Sequence, residues 1–174
     1  MTTIERQLVG YLKDAHALQE HVEAALSEML TTAAGEPAMC RPLGHFAERC
    51  RAHTREVEAR LRAHGSAPSI VRDAGMLFAA VAEAALGRSR GDRAGRHMRD
   101  AYVAAHLQIA AGEMLRRVAE RAGDPETARV AAAMCDDAYA MSRELSGLWD
   151  LAVEMSLRQH GVRDVPPAPR PDDR

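Results

Sequence analysis

Strand-forming and aromatic residues are scarce in this sequence of 174 residues. Aromatic side chains make up 3% of the chain, and isoleucine occurs only at Ile4, Ile70 and Ile109. Lysine is also nearly missing, since Lys13 is the single lysine among 23 basic residues. Because aromatic and β-branched residues favour strands, their scarcity nearly excludes a sheet protein. Alanine is abundant instead, with 34 residues, and both alanine and arginine favour helices.

The chain also lacks a long apolar run and a strong excess of charge. The longest apolar run, Met76–Ala82, is far shorter than the roughly 20 residues of a membrane span, and the first residues do not resemble a secretory signal. The formal net charge is −2, which gives no basic excess to hold nucleic acid. Cys40, Cys50 and Cys135 lack CxxC spacing and indicate a reducing compartment. We therefore expect a cytoplasmic protein without nucleic-acid or membrane partners.

Apolar residues recur at helical spacing along most of the chain. They predict helices over residues 4–31, from Pro42 or just after it to His64, over 69–87, over about 96–122 and over 125–160. Short loops join the first two and the last two long helices, and one long crossover between two helical hairpins is typical of ferritin-like bundles. The sequence thus predicts an all-α, ferritin-like four-helix bundle over residues 1–162, with an extra helix in the crossover. A proline-rich, disordered or extended tail is expected over 163–174.

Four stretches of sequence, in the same order, resemble one family, the YciE/YciF-like ferritin-like proteins of bacterial stress responses. The stretches are Tyr11–Glu20, Gly65–Ser69 followed by Asp73–Gly75, Ala101–Leu115, and Val118–Ala128. Together they span roughly residues 10–145. The resemblance implies a ferritin-like four-helix bundle and descent from a carboxylate-bridged di-iron site.

The resemblance also implies where metal ligands would lie. Di-iron bundles use one Glu from each of two helices, and a Glu with a His one turn apart from each of the others. Matched to that pattern, the chain has non-acidic residues at four ligand positions, which are Gln19, Arg49, Ala105 and Gln108. His53 matches the histidine of the second helix, and Asp136 and Asp137 stand in place of a Glu pair.

These differences change the chemistry that the site can support. Two iron(II) ions carry four positive charges, which the family's carboxylates offset. Here at most two of those carboxylates remain, and Arg49 adds a positive charge. We therefore expect no normal di-iron centre and no cofactor. The chain is interpreted as a non-catalytic scaffold or partner-binding protein, connected to stress through the resemblance.

One alternative is a ferritin-like metalloprotein that still binds iron or another divalent ion through His53, Asp136 and Asp137. It would act in iron handling or oxidative-stress protection, with Glu20 or Glu113 replacing the lost ligands. Another is that the crevice between the helices, opened by small residues, takes an apolar ligand. No nucleophile, phosphate-loop or dinucleotide motif supports an unrelated enzyme.

Cys50 and His53 lie three residues apart on the inward stripe of the second helix. They could be zinc ligands completed by Asp137 or Cys135. The favoured interpretation is a core histidine hydrogen-bonded to a nearby glutamine, with Cys50 as a small apolar residue, because the spacing matches no zinc motif.

Four further features of the sequence bear on function. His16, Glu20 and Glu23 lie near one face of the first helix and are interpreted as a solvated face. Eight of the nine methionines, all except Met1, are interpreted as core gap-fillers rather than a haem pocket or a soft-metal store. Alanine-rich helices favour a homo-oligomer. The one basic cluster comprises Arg88, Arg90, Arg93 and Arg96. It is interpreted as a solvated loop and helix start, and the alternative is a contact for a phosphate or an acidic protein partner.

Overall fold

The computed structural model describes residues 2–68, 93–165 and 167, and within them the chain forms five helices and no strand. The helices are α1 (Thr3–Thr32), α2 (Pro37–Ala63), α3 (Arg93–Ala122), α4 (Pro125–Ser146) and α5 (Trp149–Gln159). The predicted all-α fold is therefore confirmed. The helix expected over 69–87 lies outside the described residues, as do Arg88, Arg90 and the side chain of Arg93. So does most of the tail beyond residue 165.

Local sequence signals set several of the helix ends. Thr2 and Glu5 form a capping box at the start of α1, where each side chain bonds the other residue's backbone N–H. Asp124 caps α4, with Pro125 at the first helical position. Gly65 and Gly161 follow the ends of α2 and α5 with φ of +64° and +85°, a conformation that favours glycine.

The second helix begins earlier than expected, at Pro37 rather than at or after Pro42. Pro37 occupies the first turn, where a missing N–H costs nothing. Pro42 lies inside the helix and removes one backbone hydrogen bond. The added turn places Met39, which is 5% exposed, on the same buried stripe as Leu43 and Phe46. Burial of this side chain outweighs the lost hydrogen bond.

The last predicted helix, 125–160, is two helices in the structure. The chain turns at Gly147 and Leu148, between α4 and α5. Glycine is a poor helix former, and the break redirects α5 so that it packs against α3. Ala152 and Met155 of α5 are thereby buried, which a straight continuation of α4 past the end of the bundle would not provide.

The four long helices form a ring in which α1 packs against α2 and α3, and α4 packs against the same two helices. Two apolar clusters fill the interior. One contains Val22, Leu26, Phe46 and Met141, and the other contains Leu8, Leu12, Leu115 and Val130. Among the described residues, no helix has the length and apolar character needed to cross a bilayer.

Candidate functional site

Buried polar side chains lie between the two apolar clusters, midway along the bundle. Gln19 of α1, His53 of α2 and Gln108 of α3 are 1%, 3% and 2% exposed. Along each of these helices one apolar cluster precedes the polar residue and the other follows it. Together with Cys50 and Asp137, which contact them, these residues are called the polar layer below.

The two glutamines of the polar layer bind each other. Gln108 Nε2 donates to Gln19 Oε1 at 2.9 Å and also contacts Cys50 Sγ at 3.4 Å. Gln108 Oε1 is buried and has no hydrogen-bond partner among the described residues. A buried acceptor without a partner costs about 1 to 3 kcal/mol. The amide pair therefore joins α1 to α3 but leaves one acceptor unsatisfied.

Asp137 of α4 is held by two residues of α2. His53 Nε2 lies 2.7 Å from Asp137 Oδ2, and the Arg49 guanidinium contacts the same oxygen at 2.6 and 2.7 Å. The hydrogen bond to Asp137 raises the pKa of Arg49. The second ring nitrogen of His53 faces Glu56 Oε2 at 3.3 Å. Both nitrogens of this imidazole thus face carboxylates, and the Asp137 carboxylate is already paired with a guanidinium.

The buried cysteines are protonated at neutral pH. Burial raises the pKa of Cys50 to about 11, although its contact with Gln108 acts in the opposite direction. Burial also raises the pKa of Cys135, whose thiol contacts the Ile109 carbonyl oxygen at 3.7 Å. The thiolate is the reactive and metal-binding form. Neither thiol is thus activated for nucleophilic chemistry.

The other residues that the sequence suggested as metal ligands lie outside the polar layer. Ala105 is fully buried in an apolar cluster, whereas Asp136 is exposed. The Arg49 side chain is 43% exposed. Its neighbour Cys50, rather than Arg49, is the residue of α2 that contacts Gln108. Glu20 is 63% exposed. Within the part of the chain that the structure describes, no three His, Cys, Asp or Glu residues are grouped as a metal site.

His16 corrects the expectation of a solvated face. It is 4% exposed, and its ring nitrogens lie 3.3 Å from Glu58 and 3.5 Å from Glu20. The spacing carries a signal for this burial, because His16 lies four residues after buried Leu12 and three before buried Gln19. The partner Glu58 on α2 has no such signal, since it depends on how α1 and α2 pack.

His53 also differs from its favoured interpretation. It is a core histidine, but it contacts Asp137 and Glu56 rather than a glutamine. Cys50 is 1% exposed, as expected for a small apolar residue, and its sulfur lies beside the Gln108 amide.

A model of one protein family matches residues 3–158, and its description is a domain of unknown function, DUF892. The chain belongs to the DUF892 family. No curated protein matches this DUF892 chain.

Solved structures resemble this DUF892 chain over most of its length. A protein from Xanthomonas campestris pv. campestris has a TM-score of 0.77 at 18% identity, covering 92% of this chain and all of that one. The Escherichia coli stress protein YciF has a TM-score of 0.70 at 18% identity, covering 88% of this chain and 99% of YciF. YcfI from Rhodopseudomonas palustris has a TM-score of 0.69 at 19% identity, covering 84% and 94%. The predicted YciF-like helical bundle is thereby confirmed.

Proposed function

We propose that this protein is a non-catalytic member of the YciF-like bundles that does not assemble a normal di-iron centre and serves as a scaffold or binds a protein partner. The observation that carries the proposal is the amide pair. Gln19 and Gln108 stand at two expected ligand positions and hydrogen-bond to each other at 2.9 Å. Their mutual bond stabilises the bundle interior without a metal.

The donor set argues against two iron ions on grounds of charge. Two ferrous ions need carboxylates to offset four positive charges, whereas the amides of Gln19 and Gln108 are neutral and the Cys50 thiol is protonated. Asp137, the carboxylate of the polar layer, is bound by Arg49. Two unit charges of the same sign about 4 Å apart repel each other by about 4 kcal/mol at a dielectric constant near 20. The repulsion doubles when one of the two is a divalent ion, so a metal ion beside Arg49 is disfavoured. The residues present do not fit a di-iron centre.

Exposed apolar side chains support a role in self-association or partner binding. Met114 of α3, Tyr139 of α4 and Val153 of α5 are 47%, 45% and 54% exposed. We infer a homo-oligomer, and the mass of the purified protein measured by light scattering tests this, since a monomer at all concentrations would contradict it. The basic residues Arg88 to Arg96 are proposed, from the sequence, as a contact for an acidic partner.

Two further points complete the proposal. The similarity to YciF, which is described as a stress protein, supports a role connected to stress. The three free cysteines support a reducing, cytoplasmic location.

A second candidate is a metalloprotein that acts in iron handling or oxidative-stress protection. One observation favours it, because His53 and Asp137 lie 2.7 Å apart and could present two donors to one ion. Asp136, the third ligand of this hypothesis, is exposed. A metal would have to displace Arg49 from Asp137 to bind there.

The deciding measurement is the metal content per chain by inductively coupled plasma mass spectrometry. The untagged protein is expressed with added iron and manganese, beside the variant Gln19→Glu/Cys50→Glu/Gln108→Glu and the control Gln7→Glu, whose side chain is exposed. We expect negligible iron in the wild type and the control, and a gain of iron in the triple variant. Stoichiometric iron in the wild type would overturn the proposal, whatever the folding of the variants.

A further inference from the structure

Four methionines line one cavity at the end of the bundle where the first apolar cluster lies. Met29 comes from α1, Met39 from α2, Met98 from α3 and Met155 from α5, while α4 contributes Leu145. They are between 3% and 8% exposed. His97, the neighbour of Met98 on α3, also lines the cavity. The other lining residues are alanines and leucines.

The size of this cavity decides which occupants are possible. Its volume is about 10 Å³, which is close to the minimum for a single water molecule. Haem and any organic ligand are therefore excluded. A water also needs two to four polar partners, and among the described side chains that line the cavity only His97 has a hydrogen-bonding nitrogen or oxygen. An atom-sized occupant that binds sulfur fits this lining better than water.

Thioether sulfur selects soft metal ions and imidazole nitrogen suits copper among others, whereas carboxylate and carbonyl oxygens select hard ions. None of the described residues that line the cavity carries a carboxylate, so this lining does not suit magnesium, calcium or manganese. We propose that it is a site for a soft monovalent metal ion, Cu(I), held by thioether sulfurs from this ring of methionines together with the imidazole of His97.

The surroundings suit a cation of low charge. The last turns of α1, α4 and α5 meet the first turns of α2 and α3 at this end of the bundle, because Met29, Leu145 and Met155 lie near the ends of their helices. The negative ends of three helix dipoles therefore outnumber the positive ends of two. His97 is partly exposed, unlike the four methionines, which are buried.

The methyl groups of the methionines provide a direct test. The full-length protein is labelled with ¹³C at the methionine methyl groups, and Ag(I), a redox-inert substitute for Cu(I), is added stepwise in chloride-free buffer. The signals are assigned with single Met→Leu variants. We expect the methyl signals of Met29, Met39, Met98 and Met155 to shift together. The shifts should stop once one silver ion is bound per cavity. The signals of Met114 and Met134, which do not line the cavity, should stay unchanged.

The methyl signals also separate this site from the thiols, since three free cysteines can bind silver as well. If silver binds the protein while the four methyl signals do not move, the metal is on the cysteines and the proposal is wrong. If no silver binds, the proposal is equally wrong.

Affinity for Cu(I) gives the second measurement. Under ascorbate, in competition with a chromogenic chelator, Met29→Leu/Met98→Leu should lower the affinity of this site by about tenfold or more. Met134→Leu/Met141→Leu is the matched control and should leave the affinity unchanged, because neither residue lines the cavity. Leucine has nearly the volume of methionine, so both variants should fold. An equal loss of Cu(I) affinity in the two double variants would contradict a specific site in the cavity. The iron measurement above has no bearing on this result, because the two sites lie in different parts of the bundle.

Discussion

At the scale of single residues, the amide pair is the most informative feature of the interior. Gln19 and Gln108 satisfy each other, with one oxygen left over. Removing one partner of a buried pair leaves polar atoms without a partner, whereas replacing both with apolar residues of similar shape can be neutral. The two glutamines should therefore contribute jointly to the free energy of unfolding, and this contribution can be measured.

The variant Gln19→Leu should lower the free energy of unfolding by about 1 to 3 kcal/mol, because it leaves the Gln108 amide without its acceptor. Gln19→Leu/Gln108→Leu should recover most of that loss or exceed the wild type. Urea denaturation of the wild type and the variants measures both effects. Gln7→Leu, on an exposed position, should change stability by less than about 0.5 kcal/mol. A double variant that loses the sum of two large single effects would argue against the pair.

Gly112 is a second residue whose identity is fixed by its surroundings. A Cβ at this position would lie 2.6 Å from Cys135 Sγ and 3.3 Å from the Ala131 carbonyl oxygen. The absence of a side chain on α3 thus lets α4 approach closely.

We expect Gly112→Ala to lower the free energy of unfolding by about 1 to 3 kcal/mol, the usual cost of overpacking. Cys135→Ala in the same chain should relieve part of the cost, since it removes the nearest atom. Gly44→Ala is the matched control, because nothing lies within 4 Å of its Cβ position. It should stabilise α2 by about 0.5 to 1 kcal/mol. Equal effects of the two alanines, measured by urea denaturation, would mean that helix propensity alone governs both sites.

At the scale of helices, Asp124 joins the start of α4 to the end of α2. It accepts bonds from the Thr127 backbone N–H at 3.0 Å, from Arg60 at 2.9 Å and from His64 at 2.8 Å. Burial acts to raise the pKa of Asp124, but the hydrogen bonds from Thr127, His64 and Arg60 outweigh it, so the pKa is held well below its usual range. The positive end of the α4 dipole favours the same charged form.

The lowered pKa of Asp124 predicts how the stability of the protein changes at acid pH. A carboxyl whose pKa is lower in the folded state contributes stability above its unfolded pKa, which is about 3.9. That contribution is lost as the pH falls below about 4 towards the folded pKa. Asp124→Asn should therefore reduce stability at pH 7 by about 1 to 2 kcal/mol and flatten the loss below pH 4. Denaturation midpoints from pH 2 to 7 measure it, with the exposed Asp136→Asn as the control. An unchanged acid slope in Asp124→Asn would contradict the assignment.

At the scale of the whole molecule, the interior has three zones with different chemistry. One end is rich in methionine and alanine, the other in leucine and valine, and the polar layer lies between them. The proposed Cu(I) site belongs to the methionine-rich end, while four of the positions matched to di-iron ligands belong to the polar layer, namely Gln19, His53, Gln108 and Asp137. Iron and copper binding can therefore be tested separately on one protein.

The helical content and the bundle could be predicted from the sequence, because they depend on local propensity and on apolar spacing. The cap at Asp124 and the glycine stops at Gly65 and Gly161 are signals of the same kind. Two boundaries could not be predicted in this way. The early start of α2 depends on the burial of Met39, and the break before α5 on the packing of Met155 against the rest of the bundle. Both are gains that only neighbouring helices provide.

The candidate site divides in the same manner. The sequence by itself determined which residue types stand at the inward positions of each helix, including the amides of Gln19 and Gln108. Only the tertiary structure decided which side chains meet, such as Arg49 with Asp137, His16 with Glu58, and four methionines around one cavity. The physical reason is that periodicity fixes the face of a helix on which a residue lies. The axial register and rotation of one helix against another depend on side-chain packing across the whole interior.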